Sequence, residues 1–222
     1  MIRRLFTDIA AIYDRMNHVL SLGLDRRWRR VAAEEVKAAP TRILDLACGT
    51  GDFAFALARR FPEAEITGVD LTPAMLEIGA RKVEAAGLAE RIALQVGDAT
   101  SLPFVDASFD AALCAFGFRN FPDIPTSLAE VARVLEKGGR LVVLEFFRPR
   151  SALLGAFTSG WLRCASALFA SDRAADYAYL RASIAKTCSV GEFTAMARSV
   201  GFALERADLF LPACSCLVLR KP

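Results

Sequence analysis

The sequence predicts a doubly wound α/β fold in which a mostly parallel sheet ends in an antiparallel hairpin. Between residues 42 and 146, short apolar runs alternate with amphipathic stretches at the spacing typical of βαβ units. A glycine-rich turn follows the first apolar run, as at the first crossover of an open α/β sheet. Near the carboxyl terminus, two apolar runs are separated only by the short break Leu211-Pro212, and strands so closely connected must be antiparallel.

Composition limits the class of protein. The chain has 222 residues, of which 54% are hydrophobic and 24% are charged, and these proportions are typical of a globular protein. The length suits one sizeable core, so we expect residues 1–222 to form a single domain. The net charge of +3 is small and scattered, which argues against a nucleic-acid partner.

The amino terminus and the cysteines indicate the cellular compartment. The residues after Met1 lack the apolar core of a signal peptide, and the six cysteines contain no CxxC pair, so we expect free thiols in the cytoplasm. Cys214-x-Cys216 suggests zinc, but the chain has one histidine and no second cysteine pair, so we expect no metal. No run reaches the ~18 apolar residues of a membrane span. Peripheral contact with the inner face of the membrane stays an alternative, as does a homodimer.

The first element is a helical segment over residues 1–40, which Pro40 closes. We interpret the basic residues beside Trp28 as solvated helix charges, with attraction to anionic lipid as the alternative. These basic residues are Arg26, Arg27, Arg29 and Arg30.

Five parallel strands and their helices are expected next, and right-handed crossovers place the helices on both faces of the sheet. The strands are Arg42–Ala47, Glu65–Asp70, Arg91–Val96, Phe109–Ala115 and Arg140–Phe146. The first helix runs through Arg60, and the second opens at Pro73 and ends near Ala86. A third helix spans Ile124–Leu135, with Lys137-Gly138-Gly139 as its stop signal.

The last third of the chain is predicted to add one helix and the hairpin. The helix covers Val190–Val200 and ends at Gly201, and the hairpin strands cover Phe202–Phe210 and Ala213–Leu219. The seven strands together form one mostly parallel sheet.

The strongest local motif is the run Leu44-Asp45-Leu46-Ala47-Cys48-Gly49-Thr50-Gly51-Asp52 between the first strand and its helix. Glycines there let the backbone turn tightly and approach a ligand at the carboxyl end of the strand. The run is not a dinucleotide fingerprint, because Ala54 stands where a third glycine is needed. A turn that needs glycine only for steric reasons is the alternative.

Two carboxylates follow the next two strands. Asp70 closes the second strand about twenty residues after the glycines, where an acidic side chain can accept both ribose hydroxyls of a nucleoside. Its alternative role is to cap the helix that opens at Pro73, but Thr72 can do that instead. Asp98, after the third strand, can accept a hydrogen bond from an adenine amine. Together these three strand ends predict a nucleoside pocket.

These motifs resemble those of class I S-adenosylmethionine methyltransferases, whose fold is Rossmann-like. The resemblance covers residues 42–146 through the series D-L-A-C-G-T-G-D, G-V-D-L-T-P-A-M-L, G-D-A-T-S-L-P-F and L-E-K-G-G-R-L. It implies S-adenosylmethionine as the cofactor, with the glycine loop facing its methionine part, the Asp70 position its ribose and the Asp98 position its adenine. The residues assigned to cofactor binding are Asp45, Gly49, Thr50, Gly51, Asp70, Leu71, Asp98, Ala99 and Ala115.

A second set of motifs is more specific. Residues 13–23 resemble the Y-D-x-M-N-x-x-x-S-x-G segment of the ubiquinone/menaquinone biosynthesis C-methyltransferase family, and residues 116–120 resemble its F-G-x-R-N segment. Residues 144–149 and 177–184 continue the match. The resemblance implies methylation of a ring carbon of a polyprenyl quinol, either demethylmenaquinol or a ubiquinol precursor. Residues 1–40 would then form a lid, residues 41–146 hold the cofactor and residues 147–222 serve the substrate.

The same resemblance points to Arg119, Asn120 and Tyr13 as the catalytic residues. An arginine stays protonated, so we interpret Arg119 as holding the phenolate or a polarised water, with a structural ion pair as the alternative. His18, the one histidine, lies at a variable position and is expected to be a lid or surface residue.

An apolar helical face is predicted between Leu153 and Phe169. It either packs on the sheet, covers the prenyl tail or rests on the bilayer. Its members are Leu153, Leu154, Phe157, Trp161, Leu162, Ala165, Leu168 and Phe169.

Two other functions stay open at this point. One is a small-molecule methyltransferase with another apolar acceptor, and the other is a non-catalytic scaffold with the same fold. The intact Gly49, Asp70 and Asp98 argue against the scaffold, which has no need of them.

Overall fold

A seven-stranded sheet forms the centre of the computed structural model, which describes residues 2–21, 23–36, 39–149, 151, 153–160, 182–184, 186–210 and 214–222. The strand order is β3-β2-β1-β4-β5-β7-β6. The strands are β1 (Arg42–Leu46), β2 (Glu65–Asp70), β3 (Ile92–Val96), β4 (Phe109–Ala115), β5 (Leu135–Phe146), β6 (Ala203–Phe210) and β7 (Cys214–Arg220).

Strand pairing confirms the predicted architecture. Strands β1 to β5 pair in parallel, whereas β7 runs antiparallel to both β5 and β6. The carboxyl ends of β1 to β4 therefore meet at one edge of the sheet. Phe146 at the end of β5 pairs with Cys214 at the start of β7, so the hairpin extends the same edge.

The helices precede, connect and follow the strands as the hydrophobic pattern predicts. In chain order they are α1 (Ile2–Ile9), α2 (Tyr13–Leu20), α3 (Leu24–Glu34), α4 (Asp52–Arg60), α5 (Pro73–Ala85), α6 (Ile124–Val134), α7 (residues 153–160) and α8 (Val190–Ser199). Short 3₁₀ helices span Ala10–Ile12 and Phe118–Asn120. Local signals set several starts: Asp123 accepts the Thr126 N–H to cap α6, and Ser189 forms a capping box with Glu192 at α8.

The two faces of the sheet bury different helices because strand side chains alternate. Ile43 of β1 packs in the core with residues of α3 and α4, and Leu44 packs on the other face with α6 and α8. By the same alternation, Asp45 points to the face that α3 and α4 cover. This places a buried carboxylate under the amino-terminal helices.

One predicted boundary is wrong. Lys137-Gly138-Gly139 is not a helix stop, because α6 ends at Val134 and β5 begins at the next residue. The pairing of β4 with β5 shifts register here, and the Gly138 N–H donates to the Lys221 carbonyl at 2.8 Å. The Lys221 N–H in turn donates to the Gly139 carbonyl at 2.9 Å. The carboxyl-terminal residues thus supply the hydrogen bonds that keep this glycine pair in the strand.

Among the described helices, none is long and apolar enough to cross a membrane. Only the first part of the predicted apolar face, residues 153–160, is described. Tyr177, Tyr179 and Leu180 of the family motif lie outside the described residues. So do the later members of the apolar face, which are Trp161, Leu162, Ala165, Leu168 and Phe169.

Candidate functional site

An open cavity of about 830 Å³ lies at the sheet edge where the carboxyl ends of β1 to β4 meet. This is where doubly wound α/β proteins bind ligands. Predicted site residues that line it are Tyr13, Gly49, Asp70, Leu71, Asp98, Ala99, Ala115 and Asn120. Apolar side chains complete the lining, among them Phe6, Met75 and Phe121. The cavity therefore combines a few polar groups with an apolar wall, as small-molecule sites commonly do.

The glycine loop adopts the backbone that the motif predicts. Gly49 and Gly51 have φ values of +54° and +85°, in the left-handed region that favours glycine. A Cβ on Gly49 would lie 3.7 Å from the Tyr13 ring. That distance is an ordinary van der Waals contact, so the positive φ, and not a lack of space, is what favours glycine at this position.

Asp70 ties the end of β2 to the glycine loop. One carboxylate oxygen accepts the Gly49 N–H at 2.9 Å, and the other accepts the Thr72 N–H at 2.8 Å. Burial raises the pKa of Asp70, and these backbone bonds oppose that rise. Thr72 holds the N-cap position of α5 but makes no side-chain capping bond, so the expectation that it caps this helix is wrong. Asp70 therefore accepts hydrogen bonds from the backbone and also lines the cavity.

The residues that follow β3 are more open. Asp98 is exposed, and one of its carboxylate oxygens accepts the Thr100 N–H at 2.8 Å and the Thr100 hydroxyl at 2.7 Å. These local bonds fix its orientation while its neighbour Ala99 also lines the cavity.

A second, smaller cavity of about 310 Å³ adjoins the main one at Tyr13, Gly49 and Ala115. Asp45 and Thr50, both assigned to cofactor binding, line this one instead of the larger cavity, whereas Gly51 lines neither. Burial raises the pKa of Asp45 to about 7, which the nearby Arg29 charge opposes.

A charged cluster joins α2 to the glycine loop beside this second cavity. The Thr50 hydroxyl donates to Asp14 at 2.5 Å, and the Lys82 ammonium donates to Asp14 at 3.0 Å and to Asp52 at 2.5 Å. None of Asp14, Lys82 or Asp52 was identified in the sequence, although Asp14 and Asp52 lie inside quoted motifs. Lys82 lies 68 positions from Asp14 and 30 positions from Asp52, and no local sequence pattern shows contacts at such separations.

Two of the predicted catalytic residues line the main cavity and the third lies beside it. Tyr13 and Asn120 are lining residues, whereas the guanidinium of Arg119 is buried against Glu145. Arg119 Nη1 donates at 2.6 Å both to Glu145 and to the Phe116 carbonyl. Glu145 also accepts the backbone N–H groups of Arg119 and Phe146. The structural ion pair considered for Arg119 is thus present.

Tyr13 combines an aromatic contact with a neutral hydroxyl. Its ring meets Phe6 edge-on, with centroids 5.8 Å apart. Burial raises the pKa of its phenol above the ordinary value, and the Arg119 charge partly offsets the rise. At neutral pH Tyr13 therefore carries its proton and is able to donate a hydrogen bond.

The basic cluster in α3 is only partly solvated. Arg26, Arg27 and Arg30 are exposed, but Arg29 is 6% exposed and donates to Asp25 at 2.6 Å. Its guanidinium also lies 5.4 Å from the Phe116 ring centroid. The interpretation of Arg29 as a solvated charge is therefore wrong. The acidic residue four positions earlier was the available signal.

His18 belongs to the same polar network and lies away from the main cavity. Its Nδ1 is 3.2 Å from Asp25, which also accepts the Ser21 hydroxyl at 2.8 Å. The side chain lies at the turn between α2 and α3 and is 43% exposed.

The described part of the apolar face is partly exposed and partly turned toward the sheet. Leu153 and Phe157 of α7 are 83% and 59% exposed. Leu154 instead lines a groove of about 570 Å³ at the carboxyl end of β5, together with Phe147, Pro149, Val190, Leu209 and Leu217.

The cysteine pair of β7 is buried in the core. Burial raises the thiol pKa of Cys214 well above its ordinary value and that of Cys216 to about 12. Within the described residues, no three His, Cys, Asp or Glu side chains cluster as a metal site requires.

Comparison with known proteins agrees with this geometry. The ubiE/COQ5 methyltransferase family matches residues 1–210. A demethylmenaquinone methyltransferase of Deinococcus radiodurans is 47% identical over 206 residues, which cover 90% of this chain and 84% of that protein. A ubiquinone/menaquinone biosynthesis C-methyltransferase of Geotalea daltonii is 43% identical over 207 residues, covering 90% and 87%. The crystal structure of an S-adenosylmethionine-dependent methyltransferase from Aquifex aeolicus shares the fold, with a TM-score of 0.66 at 15% identity over 88% of this chain and 89% of that chain.

Proposed function

Because this chain belongs to the ubiE/COQ5 methyltransferase family, we propose that it methylates a ring carbon of a prenylated quinol. It is an S-adenosylmethionine-dependent methyltransferase. The names of its relatives support demethylmenaquinol or a ubiquinol precursor as the acceptor. The observation that carries the proposal is the main cavity, where Asp70 and Asp98 stand near apolar walls formed by Phe6, Met75 and Phe121.

The residues around the glycine loop fit the cofactor. Gly49 and the half-buried carboxylate of Asp70 line the cavity, and one oxygen of Asp45 has no hydrogen-bond partner within the described residues. In the proposal Asp70 and Leu71 hold the ribose, Asp98 and Ala99 hold the adenine, and Ala115 lies beside the transferred methyl. Thr50, Gly51 and Asp45 hold the methionine part. When bound, the cofactor supplies an electrophilic methyl group.

The chemistry asked of the protein is to favour the quinolate and to orient the ring. Carbon methylation would require loss of the phenolic proton and formation of the carbon–methyl bond as the sulfur–methyl bond of the cofactor breaks and S-adenosylhomocysteine leaves. The methylated carbon then loses its proton and the ring oxygen regains one, which restores the quinol. Neutral Tyr13 and the Asn120 amide are placed to hydrogen-bond the ring oxygens. Arg119, which Glu145 holds rigidly, would bring the positive end of a buried ion pair close to the developing phenolate.

The substrate tail is assigned to the groove beside β5 and β7. Ala115 of β4 lies two strands from β7, roughly 10 Å across the sheet edge at the usual strand spacing. A tail that leaves the ring at the main cavity reaches the groove along this edge. The exposed Leu153 and Phe157 then face the bilayer from which the substrate comes. In this arrangement residues 1–40 act as a lid, residues 41–146 hold the cofactor and residues 147–222 serve the substrate.

The decisive experiment is incubation with methyl-labelled S-adenosylmethionine and a panel of acceptors, read by mass spectrometry. The panel contains prenylated naphthoquinols, prenylated benzoquinols and unprenylated apolar phenols. We expect label on a ring carbon of a prenylated quinol. Label on oxygen, or label only on the unprenylated phenols, would contradict the proposed substrate class.

A further inference from the structure

The backbone carbonyl of Phe116 contacts two of the residues assigned to catalysis. It accepts a hydrogen bond from Arg119 Nη1 at 2.6 Å and a longer one from Asn120 Nδ2 at 3.4 Å. Phe116 opens the F-G-x-R-N segment, but the sequence gives it no role of its own. Because one carbonyl contacts both side chains, the direction of that carbonyl bears on where both of them lie.

This direction depends on an unusual backbone conformation. Phe116 has a φ of +61°, in the left-handed region that residues with a Cβ rarely adopt. Its N–H still donates to the Leu144 carbonyl at 2.8 Å, so the hydrogen bonding of β4 to β5 continues to this residue. The left-handed conformation then turns the chain out of the strand, and the Phe116 carbonyl leaves the ladder and meets Arg119 instead.

Close packing holds the chain on both sides of this carbonyl. The Phe116 ring is buried and stacks on the Phe146 ring with centroids 5.1 Å apart. On the other side, a Cβ on Gly117 would lie 2.7 Å from the Ala47 Cβ and 2.7 Å from the Cys114 Sγ. The peptide group between Phe116 and Gly117 therefore has little freedom to move.

The position of Phe116 suggests a reason for this costly conformation. Among the non-glycine residues with a positive φ in the described ranges, Phe116 is the only one whose side chain extends beyond Cβ. It lines the main cavity, as Asn120 does. Strained residues of this kind are found preferentially at functional sites, where the surrounding structure compensates for their cost.

We propose that Phe116 is a positioning residue for methyl transfer, because its left-handed backbone aims the carbonyl that holds Arg119 and Asn120 beside the acceptor. Glu145 binds the Arg119 guanidinium at 2.6 Å, and the Phe116 carbonyl provides the second fixed contact. The inference rests on the proposed function, in which Arg119 and Asn120 serve the acceptor ring. It adds that the backbone of a third residue sets their placement.

The test compares Phe116→Gly with Phe116→Val. Both substitutions remove the ring, but glycine adopts the left-handed conformation freely, whereas the β-branched valine resists it. We expect kcat for methyl transfer to be at least about tenfold higher in Phe116→Gly, as the cost of a left-handed residue with a Cβ implies. Cofactor affinity should be similar in the two variants. A role in packing alone predicts the opposite order, because valine replaces more of the lost apolar volume.

The same two substitutions at Phe109 are the matched control. Phe109 is also buried, but it lies at the other end of β4 and has no positive φ. Valine suits a strand better than glycine, so Phe109→Val should have the higher melting temperature. The two Phe109 variants should have equal kcat at a temperature at which both are folded.

An Arg119→Lys background shows whether Phe116 acts through Arg119. If it does, the ratio of kcat between Phe116→Gly and Phe116→Val should shrink several-fold in this background, because contacting residues are not additive. Amide hydrogen exchange of residues 118–120 needs no acceptor, and it should be faster in Phe116→Val than in Phe116→Gly. If Phe116→Val does not fold, Phe116→Ala takes its place, since alanine also resists the left-handed region.

Two results would overturn the proposal. One is equal kcat in the glycine and valine variants, with a difference only in melting temperature. The other is a kcat ratio that stays unchanged in the Arg119→Lys background. The assay uses whichever acceptor the wild-type protein methylates, so absence of label on prenylated quinols would overturn the proposed substrate and leave this comparison intact.

Discussion

Buried carboxylates dominate the electrostatics of the site at the scale of single residues. Burial raises the pKa of both Asp45 and Asp70, but their surroundings differ. Asp70 accepts two backbone N–H groups, whereas one oxygen of Asp45 has no partner within the described residues. The carboxylate of Asp45, which lacks one hydrogen bond, therefore lowers the stability of the folded protein. A ligand that donates this missing hydrogen bond binds more tightly.

Asp70 is the residue whose loss should most directly weaken cofactor binding. Two hydrogen bonds from ribose hydroxyls to a carboxylate contribute roughly 1.5–3 kcal/mol each, so Asp70→Ala should weaken S-adenosylmethionine binding by at least about tenfold. The substitution also removes the acceptor of the Gly49 and Thr72 N–H groups, so the melting temperature should fall as well. Asp70→Asn keeps one acceptor oxygen and separates the two effects. Calorimetry that shows wild-type affinity in both variants would refute the assignment.

Asp45 gives a pH-dependent prediction for the cofactor-free protein. Its pKa rises from 3.8 to about 7 on folding, with Arg29, Asp70 and Asp52 as the charged neighbours. The folded state holds the proton more tightly, so the contribution of Asp45 to stability is present below about pH 4 and is lost as pH rises to about 7. Three pKa units correspond to ~4 kcal/mol at most.

Asp45→Asn removes this titration. Urea denaturation at pH 5 and pH 8 should show that the variant gains stability over the wild type as pH rises, while its cofactor affinity falls. If the difference in unfolding free energy between Asp45→Asn and the wild type were the same at both pH values, burial would not raise the pKa of Asp45.

Arg119 separates chemistry from cofactor binding. Arg119→Lys keeps the positive charge but loses the planar fork that binds Glu145 and the Phe116 carbonyl. We expect turnover to fall more than about tenfold, the size of one lost charged hydrogen bond, with S-adenosylmethionine affinity nearly unchanged. Steady-state kinetics with calorimetry measures both. Turnover near the wild-type value would leave Arg119 with a structural role only.

At the scale of elements, the sequence predicts most of the sheet because its strands are short buried runs with turn residues between them. The predicted bounds of β2 and β4 match the structure at both ends. The extension of β5 to Leu135 was missed, because it depends on hydrogen bonds between Gly138, Gly139 and the distant Lys221. The burial of Arg29 was missed for a related reason, since a basic run in a helix is ordinarily solvated and tertiary packing decides otherwise.

At the same scale, the ion pairs that join α2 to the segment following the glycine loop should have a measurable effect. Lys82 bonds Asp14 of α2 and Asp52 of α4, and all three side chains are about one-third exposed. Each pair then contributes at most ~1 kcal/mol. Lys82→Met should speed amide hydrogen exchange in residues 13–20 and weaken cofactor binding a few-fold. Arg81→Met, at an exposed neighbouring position, is the control. Equal amide exchange rates in the two variants would show that Lys82 does not hold α2 in place.

At the scale of the whole molecule, topology assembles a site from residues far apart in sequence. Gly49, Asp70, Asp98 and Ala115 follow four different strands, and their convergence was predictable because parallel strands end at one edge. The division of the site into two cavities was not predictable. It arises because Asp45 points to the face under α3, whereas Asp70 points into the main cavity.

The last prediction concerns the substrate tail, which in the proposed arrangement lies at the opposite end of the sheet edge from the adenine. If the groove beside β5 and β7 holds the tail, each tail CH₂ removed from water contributes roughly 0.8 kcal/mol to substrate affinity. A short-tailed quinol should then have a KM more than about tenfold higher than a long-tailed one. Phe157→Asp places a charge on the exposed side chain near this groove and should reduce that difference.

Val105→Asp, at another exposed apolar position, is the matched control and should preserve the difference. Because both side chains are exposed, neither substitution should lower the melting temperature by more than a few degrees. A structural role for α7 has a different signature, in which Phe157→Asp lowers the melting temperature and impairs both substrates equally. Equal KM values for short and long tails in the wild-type enzyme would show that the tail binds elsewhere or is not bound. Each methylene that the protein buries must raise substrate affinity.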